Sequence, residues 1–269
     1  TDEIVIKAIT RFRTRQAKIE IPDNQNSGIH GFSHEYIQYM LGGSFRASYR
    51  PLNDNIINGR IKGLAGVVGC TNPRVKQDWV HVELVKELIK NDVLVLQTGC
   101  SQIALAKAGL LTPEAAHLAG DGLREVCETV GIPPVLGLGS CVDNSRILIA
   151  ASAVVNEGGL GESIADLPAA GAAPEWMSEK AISIGQYFVA SGVYTIFGVT
   201  YPVTDNTKFS NHLYQGLEQQ GLGKWGFAVD PYDMANKMIN HIDDRREKLG
   251  IQEAKERVLF DMADRRSLE

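Results

Sequence analysis

Long apolar runs are absent from this sequence of 269 residues. A helix that crosses a bilayer needs about 20 consecutive, predominantly apolar residues, so we expect no membrane span. The opening stretch TDEIVIKAITRFRTR carries charges throughout and has no apolar region of the kind found in secretory signals. We therefore expect a cytoplasmic protein.

Blocks of positive charge are also absent. The 27 lysines and arginines are outnumbered by 32 aspartates and glutamates, which gives a net charge of −5. Binding to nucleic acid or to an anionic membrane surface therefore has no electrostatic support. No GxGxxG motif follows the first predicted strand, so we expect no dinucleotide site.

Cysteine is scarce, with four residues in the whole chain. A disulfide framework is not expected in a chain without a secretory signal. No CxxC pair is present, and structural zinc usually takes four ligands, so zinc fits poorly. The cysteines are more typical of metal ligands of another kind, of nucleophiles or of core residues.

What is present is an alternation of short apolar runs with segments of helical periodicity. Five runs predict strands, at 64–69, 92–97, 133–139, 193–199 and 224–229. This alternation predicts an α/β fold, a Rossmann-like and mainly parallel sheet with helices on both faces. The first part of the chain is helical and irregular, which divides the sequence into a helical N-terminal segment, 1–60, and a Rossmann-like domain, 61–269.

Three of the four cysteines follow predicted strands. GLAGVVGC ends in Cys70, DVLVLQTGC ends in Cys100, and GLGSC ends in Cys141. Ligands of an open parallel sheet collect beyond the carboxyl ends of its strands, and the preceding glycines permit a sharp turn. A helix N-terminus following each cysteine would favour negative charge on the sulfur. By contrast, Cys127 lies within a predicted helix, and we expect it in the core.

Three explanations of this arrangement compete. Each thiol alone is typical of a small buried residue, since free cysteine is among the most buried residue types. A nucleophile at Cys141, on a strand–turn–helix elbow, leaves Cys70 and Cys100 unexplained. Thiolates from separate loops suit an iron–sulfur centre that is completed by ligands from elsewhere.

Three blocks of sequence carry a resemblance to a known family. The blocks are GVVGCTNPRVKQDWVHVELVKELIKNDVLVLQTGC, GSCVDNSR and APEWMSEKAISIGQYFVASG. From about Ile56 to Gly250, the chain resembles the C-terminal domain of the nickel-containing anaerobic carbon monoxide dehydrogenases. The resemblance implies a nickel–iron–sulfur active cluster.

The resemblance also implies roles for single residues. Cys70 and Cys100 match positions that each bind an iron of the cluster, and Cys141 matches the thiolate that binds nickel. Lys180 matches a lysine that hydrogen-bonds the bound carboxylate or hydroxide. Ile184 matches an apolar residue beside the substrate pocket.

The implied reaction is CO + H2O → CO2 + 2 H+ + 2 e−. The implied partners are the N-terminal part of a longer parent enzyme, a ferredoxin-like electron carrier and, in some systems, an acetyl-CoA synthase, with a homodimer as the parent's form. The family's remaining cluster ligands match nothing here, and the chain starts without a methionine. We therefore expect these 269 residues alone to lack CO oxidation and a complete cluster.

The residues around these positions support the same chemistry. Lys180, Ala181, Ile184 and Phe188 fall on one helix face, so an ammonium projects from an apolar stripe, although a lysine that reaches out to water would give the same pattern. After Cys141, either Asp143 or Asn144 is expected to cap the helix, and Ser145 to donate to the sulfur; capping alone is the simpler alternative. Trp176 is expected to form a wall of the pocket.

Two rival functions stay open at this point. One is a lobe of a hybrid-cluster-type enzyme, which reduces hydroxylamine and needs no nickel. The other is a non-catalytic Rossmann-like binding module with empty cysteines.

Overall fold

A parallel sheet forms the centre of the molecule. The computed structural model describes residues 1–17, 20–42, 47–200, 207–212 and 217–254. The strands of this part are β1 (Gly63–Gly69), β2 (Val93–Gly99), β3 (Val135–Gly139), β4 (Ala169–Ala173), β5 (Tyr194–Phe197) and β6 (Trp225–Phe227). They lie in the order β3-β2-β1-β4-β5-β6, and each neighbouring pair is parallel. The predicted α/β, Rossmann-like class is confirmed.

Helices cover both faces of this sheet. The α-helices of the described part are α1 (Asp2–Phe12), α2 (His34–Gly42), α3 (Arg50–Ile57), α4 (Trp79–Lys90), α5 (Cys100–Lys107), α6 (Asp121–Val130), α7 (Asn144–Glu157), α8 (Glu179–Ala190), α9 (Thr207–Asn211), α10 (Leu217–Gln219) and α11 (Pro231–Lys248). On one face α4 packs against α5 and α11, while α3 packs against α7 on the other. In the described residues, no helix is long and apolar enough to cross a membrane.

Strand β4 was not predicted from the sequence. Its sequence, AlaAlaGlyAlaAla, contains no β-branched or aromatic residue, and these are the residues that mark strands. It nevertheless lies between β1 and β5 in the middle of the sheet. Pairing with β1 and β5 on its two sides therefore determines the structure of β4, and its apolar residues suit a strand that is buried on both faces.

The segment before the sheet contributes to the same core. Phe32, Ile37, Tyr49, Leu52 and Ile56 are buried in the main apolar cluster. Helix α1, by contrast, buries no residue. The division of the chain into 1–60 and 61–269 stays a prediction, and its last residues, 255–269, lie outside the described part.

Helix α11 shows how local sequence defines an element. The Asp230 carboxylate accepts hydrogen bonds from the backbone N–H groups of Tyr232 and Asp233, at 3.0 and 2.9 Å. Pro231 occupies the first turn, where a missing N–H is harmless. Basic residues fill the last turn, as the helix dipole favours.

Candidate functional site

A cavity of about 190 Å³ opens between β1 and β4. At this point the chain, which has run from β1 outward to β3, returns and continues in the other direction with β4. Ligands of open α/β sheets bind in the crevice at such a switch point. Residues from the ends of β1 and β4 and from α8 line the cavity, together with three cysteines.

These cysteines are the three that follow predicted strands, Cys70, Cys100 and Cys141. Their proximity follows from strand register. The last residues of β1 and β2, Gly69 and Gly99, are paired with each other. Thr98, the residue before Gly99 in β2, is paired with Gly139, the last residue of β3. Adjacent parallel strands that end level with one another bring the residues that follow them to one edge.

A β-bulge adjusts the end of β3. Gln97 pairs with Gly137 but Thr98 pairs with Gly139, so Leu138 is an extra residue on β3. Bulges bend the strand and re-aim the residues that follow, often beside active sites. This bulge, which the sequence did not reveal, sets where the Cys141 turn begins.

The strand-final glycines let the chain turn toward the cavity. Gly69, Gly99 and Gly139 have φ angles of 109°, 70° and 142°, which side chains make unfavourable. At Gly99 an added Cβ would lie 2.7 Å from the Sγ of Cys141. The Cys141 sulfur thus contacts the backbone beside Cys100, and this contact requires glycine.

Hydrogen bonds fix the backbone around Cys141. The Asp143 carboxylate accepts from the Ser140 N–H at 2.8 Å, and this bond, with the Arg146 guanidinium, lowers the pKa of Asp143. The Asn144 amide donates to the Cys141 carbonyl at 2.9 Å. The predicted capping of α7 by a side chain is not found: Asp143 is its N-cap residue but makes no side-chain hydrogen bond to that helix, and its carboxylate instead completes a capping box of the 3-10 turn Cys141–Asp143, in which Ser140 is the N-cap.

One predicted contact of this loop is wrong. The Ser145 hydroxyl donates to the Val142 carbonyl at 3.2 Å rather than to the sulfur of Cys141, because this backbone acceptor lies three residues back on the same turn. The polar residue that sequence reasoning missed is Thr98, which is fully buried and donates to the Asn144 side chain at 2.7 Å.

Lys180 lies in the first turn of α8 and lines the cavity with Ala181, Ile184 and Phe188. The shared helix face predicted from the sequence is therefore present. Lys180 is exposed, and within the described ranges no carboxylate pairs with its ammonium. The positive end of the α8 dipole lies at the same place, so both favour negative charge in the cavity.

The buried side chain of His81 holds the backbone of Cys70. The Nε2 of His81 lies 2.8 Å from the Cys70 carbonyl oxygen, and because a carbonyl only accepts, Nε2 carries the proton. Burial lowers the pKa of His81 to about 4, against weaker opposing effects of this hydrogen bond and of Asp78. The ring is therefore neutral at physiological pH. Only the fold shows this partner of His81.

Glu175 is a second buried group that the sequence did not single out. Its side chain is fully buried and accepts from the backbone N–H groups of Asp78 and Val80, at 3.4 and 3.2 Å. Burial raises its pKa, and the α4 N–H groups oppose this shift. The helix N-terminus supplies the positive potential that a buried carboxylate needs.

Trp176 lies to one side of the cavity. It was expected to form a wall, but its indole N–H donates to the Gly198 and Thr200 carbonyls at 2.9 and 3.1 Å. Its ring packs edge-on against Phe197, with centroids 5.8 Å apart. Trp176 therefore anchors the segment that leads into α8.

The donor set fits a metal–sulfur cluster better than a single ion. Among the described residues, no three His, Cys, Asp or Glu side chains converge closely enough to hold one metal ion. Three thiols nonetheless surround one cavity, and thiolates are the ligands of iron–sulfur clusters. The glycine required at Gly99 leaves the backbone open to a bulky group.

Comparison with protein families agrees with this geometry. The model of the Prismane/CO dehydrogenase family matches residues 1–232. Carbon monoxide dehydrogenase 1 of Methanosarcina acetivorans is 53% identical over 253 residues, which cover 93% of this chain and 39% of that protein. Carbon monoxide dehydrogenase 1 of Carboxydothermus hydrogenoformans is 38% identical over 260 residues.

Solved structures give the same result. The nickel-free carbon monoxide dehydrogenase of Thermococcus sp. AM4 matches with a TM-score of 0.85 and 49% identity, over 93% of this chain and 39% of that one. An acetyl-CoA synthase/carbon monoxide dehydrogenase, with NiZn[Fe4S4] and NiNi[Fe4S4] clusters in its alpha subunits, matches with a TM-score of 0.83 and 34% identity over 93% of this chain and 38% of that one.

Proposed function

Since the chain belongs to the Prismane/CO dehydrogenase family, we propose that it is the lobe of a carbon monoxide dehydrogenase that supplies three thiolates to a nickel–iron–sulfur centre. The parent reaction is CO + H2O → CO2 + 2 H+ + 2 e−. The chain spans about 39% of the length of the curated relatives it matches, so this activity is proposed for the whole protein. The observation that supports it is the set of three strand-end thiols around one cavity with Lys180.

Each thiolate has a proposed role. Cys70 and Cys100 bind iron, and Cys141 binds nickel. When bound, the cluster supplies Lewis acidity and takes up two electrons. The Asn144 and Asp143 contacts keep the Cys141 turn in place before any metal arrives, so this ligand needs little rearrangement.

Lys180 is the proposed electrostatic catalyst. Conversion of CO to CO2 develops negative charge on oxygen as the second oxygen is added. The Lys180 ammonium and the α8 N-terminus lie at the cavity and favour that charge. Because the α8 N-terminus is fixed before the reaction, its share of this effect needs little reorganisation.

The apolar side of the pocket controls what enters. Ala181, Ile184 and Phe188 line it one helical turn apart. An apolar wall excludes bulk water, which strengthens the effect of Lys180, and it admits a small neutral gas. Ile184 is proposed to border the substrate directly.

Further partners follow from the reaction. Two electrons must leave for an external acceptor, for which we propose a ferredoxin-like carrier. The rest of the parent protein supplies the remaining cluster ligands, and the parent is proposed to act as a homodimer, in some systems with an acetyl-CoA synthase.

The test uses the anaerobically produced whole protein that carries this chain. We expect CO-dependent reduction of methyl viologen that requires nickel, and none from the 269 residues alone. Hydroxylamine reduction without nickel dependence would favour the hybrid-cluster type instead. A preparation with neither iron nor sulfide after reconstitution would favour the non-catalytic module.

A further inference from the structure

The loop that carries Cys70 differs from the other two cysteine turns in its length. Helices begin at Cys100 itself and, through one 3-10 turn, at Cys141, whereas eight residues separate Cys70 from the first residue of α4, Trp79. A loop of that length has many accessible conformations unless contacts from other segments restrict it. The contacts that restrict this loop lie on a segment distant in sequence.

The local cap of α4 does not perform its usual function. Asp78 occupies the N-cap position with a φ of 66° and makes no side-chain hydrogen bond to its own helix. Its carboxylate instead forms an ion pair with Lys107. The N–H groups at the start of α4 are satisfied by Glu175, 97 residues further along the chain from Asp78.

The segment that carries Glu175 leads directly into the Lys180 helix. Glu175 follows β4 and precedes Trp176, whose carbonyl accepts from the Asn72 side chain at 2.7 Å. Asn72 and Glu175 therefore connect the two ends of the Cys70 loop to one short segment. That segment begins the turn that ends at Lys180 in α8.

His81 completes this set of contacts. It lies one turn into α4, is fully buried, and its Nε2–H donates to the Cys70 carbonyl. Its Nδ1 is buried with no hydrogen-bond partner in the structure. A buried ring with an unsatisfied nitrogen is unfavourable for stability, which points to a role in positioning Cys70.

We propose that Asn72, His81 and Glu175 form a clamp that positions the Cys70 thiol relative to the Lys180 segment. The three are positioning residues, because they act on backbone groups of the loop rather than on substrate. The purpose assigned to the clamp rests on the proposed function. In that function the clamp holds the Cys70 loop, which carries a cluster ligand, against the segment that leads to Lys180 beside the same cavity. The contacts themselves require no metal.

The test measures the reactivity of single thiols in the metal-free chain of 269 residues. Iodoacetamide labelling, followed by peptide mass spectrometry, gives separate rates for Cys70 and Cys141. We expect Glu175→Gln to raise the Cys70 rate about tenfold relative to Cys141, because it replaces one charged acceptor by a donor that faces N–H groups. Cys141 serves as the internal reference, since its own contacts are unchanged.

Three further variants and a control separate positioning from general stability. His81→Leu should raise the Cys70 rate in the same way, whereas His81→Gln, whose amide can donate in the place of Nε2, should restore a rate near the wild-type value. Asn72→Ala removes the bond to the Trp176 carbonyl and a local bond from the Arg74 N–H, and it gives a milder increase that can be measured if Glu175→Gln fails to fold. Asp166→Ala removes a comparable carboxylate, which accepts from the Glu162 and Ser163 N–H groups before β4, at the end of that strand away from the site, and should leave the Cys70 to Cys141 ratio unchanged.

The outcomes distinguish the clamp from the proposed function. Equal rises at both cysteines, or an unchanged ratio in folded Glu175→Gln and His81→Leu, would overturn the clamp. Neither result would bear on CO oxidation by the whole protein. Conversely, loss of the proposed activity would leave the thiol-reactivity prediction standing.

Discussion

Two cysteines in this molecule show how position decides chemistry. Cys141 lies at the end of β3, is half-buried and lines the cavity. Cys127 lies in α6, is buried in the apolar core, and burial raises its pKa to about 12. A thiol is available to a metal at the carboxyl edge of the sheet and is a packing group in the interior.

Two buried histidines repeat the contrast. His81 lies under the sheet edge and donates to the Cys70 carbonyl. His241, in α11, packs against the ring of Tyr194 with centroids 4.9 Å apart, and burial, helped by Arg245, lowers its pKa to about 3. At the edge the buried ring positions backbone, whereas in the interior it packs against an aromatic ring; burial lowers the pKa of both histidines.

The strongest test of the difference between the sheet edge and the interior is to remove one thiol from each region. Cys141→Ala should abolish nickel-dependent CO oxidation by the whole protein, with a change in unfolding free energy below about 1 kcal/mol. Cys127→Ala should keep the activity and lose about 1 kcal/mol of stability through lost burial. Activity assays and urea denaturation check both. Retained activity in Cys141→Ala would contradict the assignment.

The next largest effect is expected from the Lys180 ammonium at the carboxyl edge of the sheet. Lys180→Ala should lower kcat about 10²–10³-fold, since removal of one preorganised electrostatic group has that size of effect. Iron and nickel contents should stay at wild-type levels. Lys90→Ala, at an exposed position on α4, is the matched control and should leave kcat unchanged. A parallel loss of metal in Lys180→Ala would assign Lys180 to assembly instead of catalysis.

Two glycines, one at the sheet edge and one away from the site, test the same difference in the backbone. Gly99→Ala and Gly131→Ala both place alanine at a positive φ, 70° and 78°, which costs about 1–2 kcal/mol each. Only Gly99→Ala also drives a Cβ to 2.7 Å from the Cys141 sulfur, since nothing lies within 4 Å at Gly131. We expect the larger loss of stability in Gly99→Ala, because of this added contact, and reduced metal incorporation in Gly99→Ala alone. Equal metal content in both variants would show that the contact is unimportant.

The last expected effect concerns stability alone and is the acid sensitivity of the interior. Because the pKa of His241 is about 3 in the folded protein and about 6.5 in the unfolded chain, the unfolded state binds the extra proton between these values. Stability then falls as pH decreases through this window, by about 1.4 kcal/mol per pH unit from this group. His241→Phe should flatten the pH dependence of unfolding free energy by that slope, measured with urea between pH 6 and 4. Parallel slopes in the two proteins would refute this.

The sequence predicted the parts of the fold that local patterns control. Apolar runs identified β1, β2, β3, β5 and β6, and the rule that parallel strands end at one edge indicated a common site for the three cysteines. Strand β4 was missed because alanine and glycine carry no strand signal.

The missing details of the site depend on contacts between distant segments. The sequence of α4 does not show that His81 meets the Cys70 carbonyl. Likewise, nothing local indicates that Glu175 caps a helix 97 residues away in sequence, or that a bulge lengthens β3 at Leu138. The ligand roles of Cys70, Cys100 and Cys141 stay predictions.

The most direct test of the central claim is differential alkylation of the four cysteines in the whole protein, with and without its cluster. We predict that Cys70, Cys100 and Cys141 react in the metal-free protein and become protected together when nickel, iron and sulfide are incorporated, while Cys127 stays unreactive in both. Protection of one thiol alone, or equal labelling of all three in both states, would contradict a shared cluster.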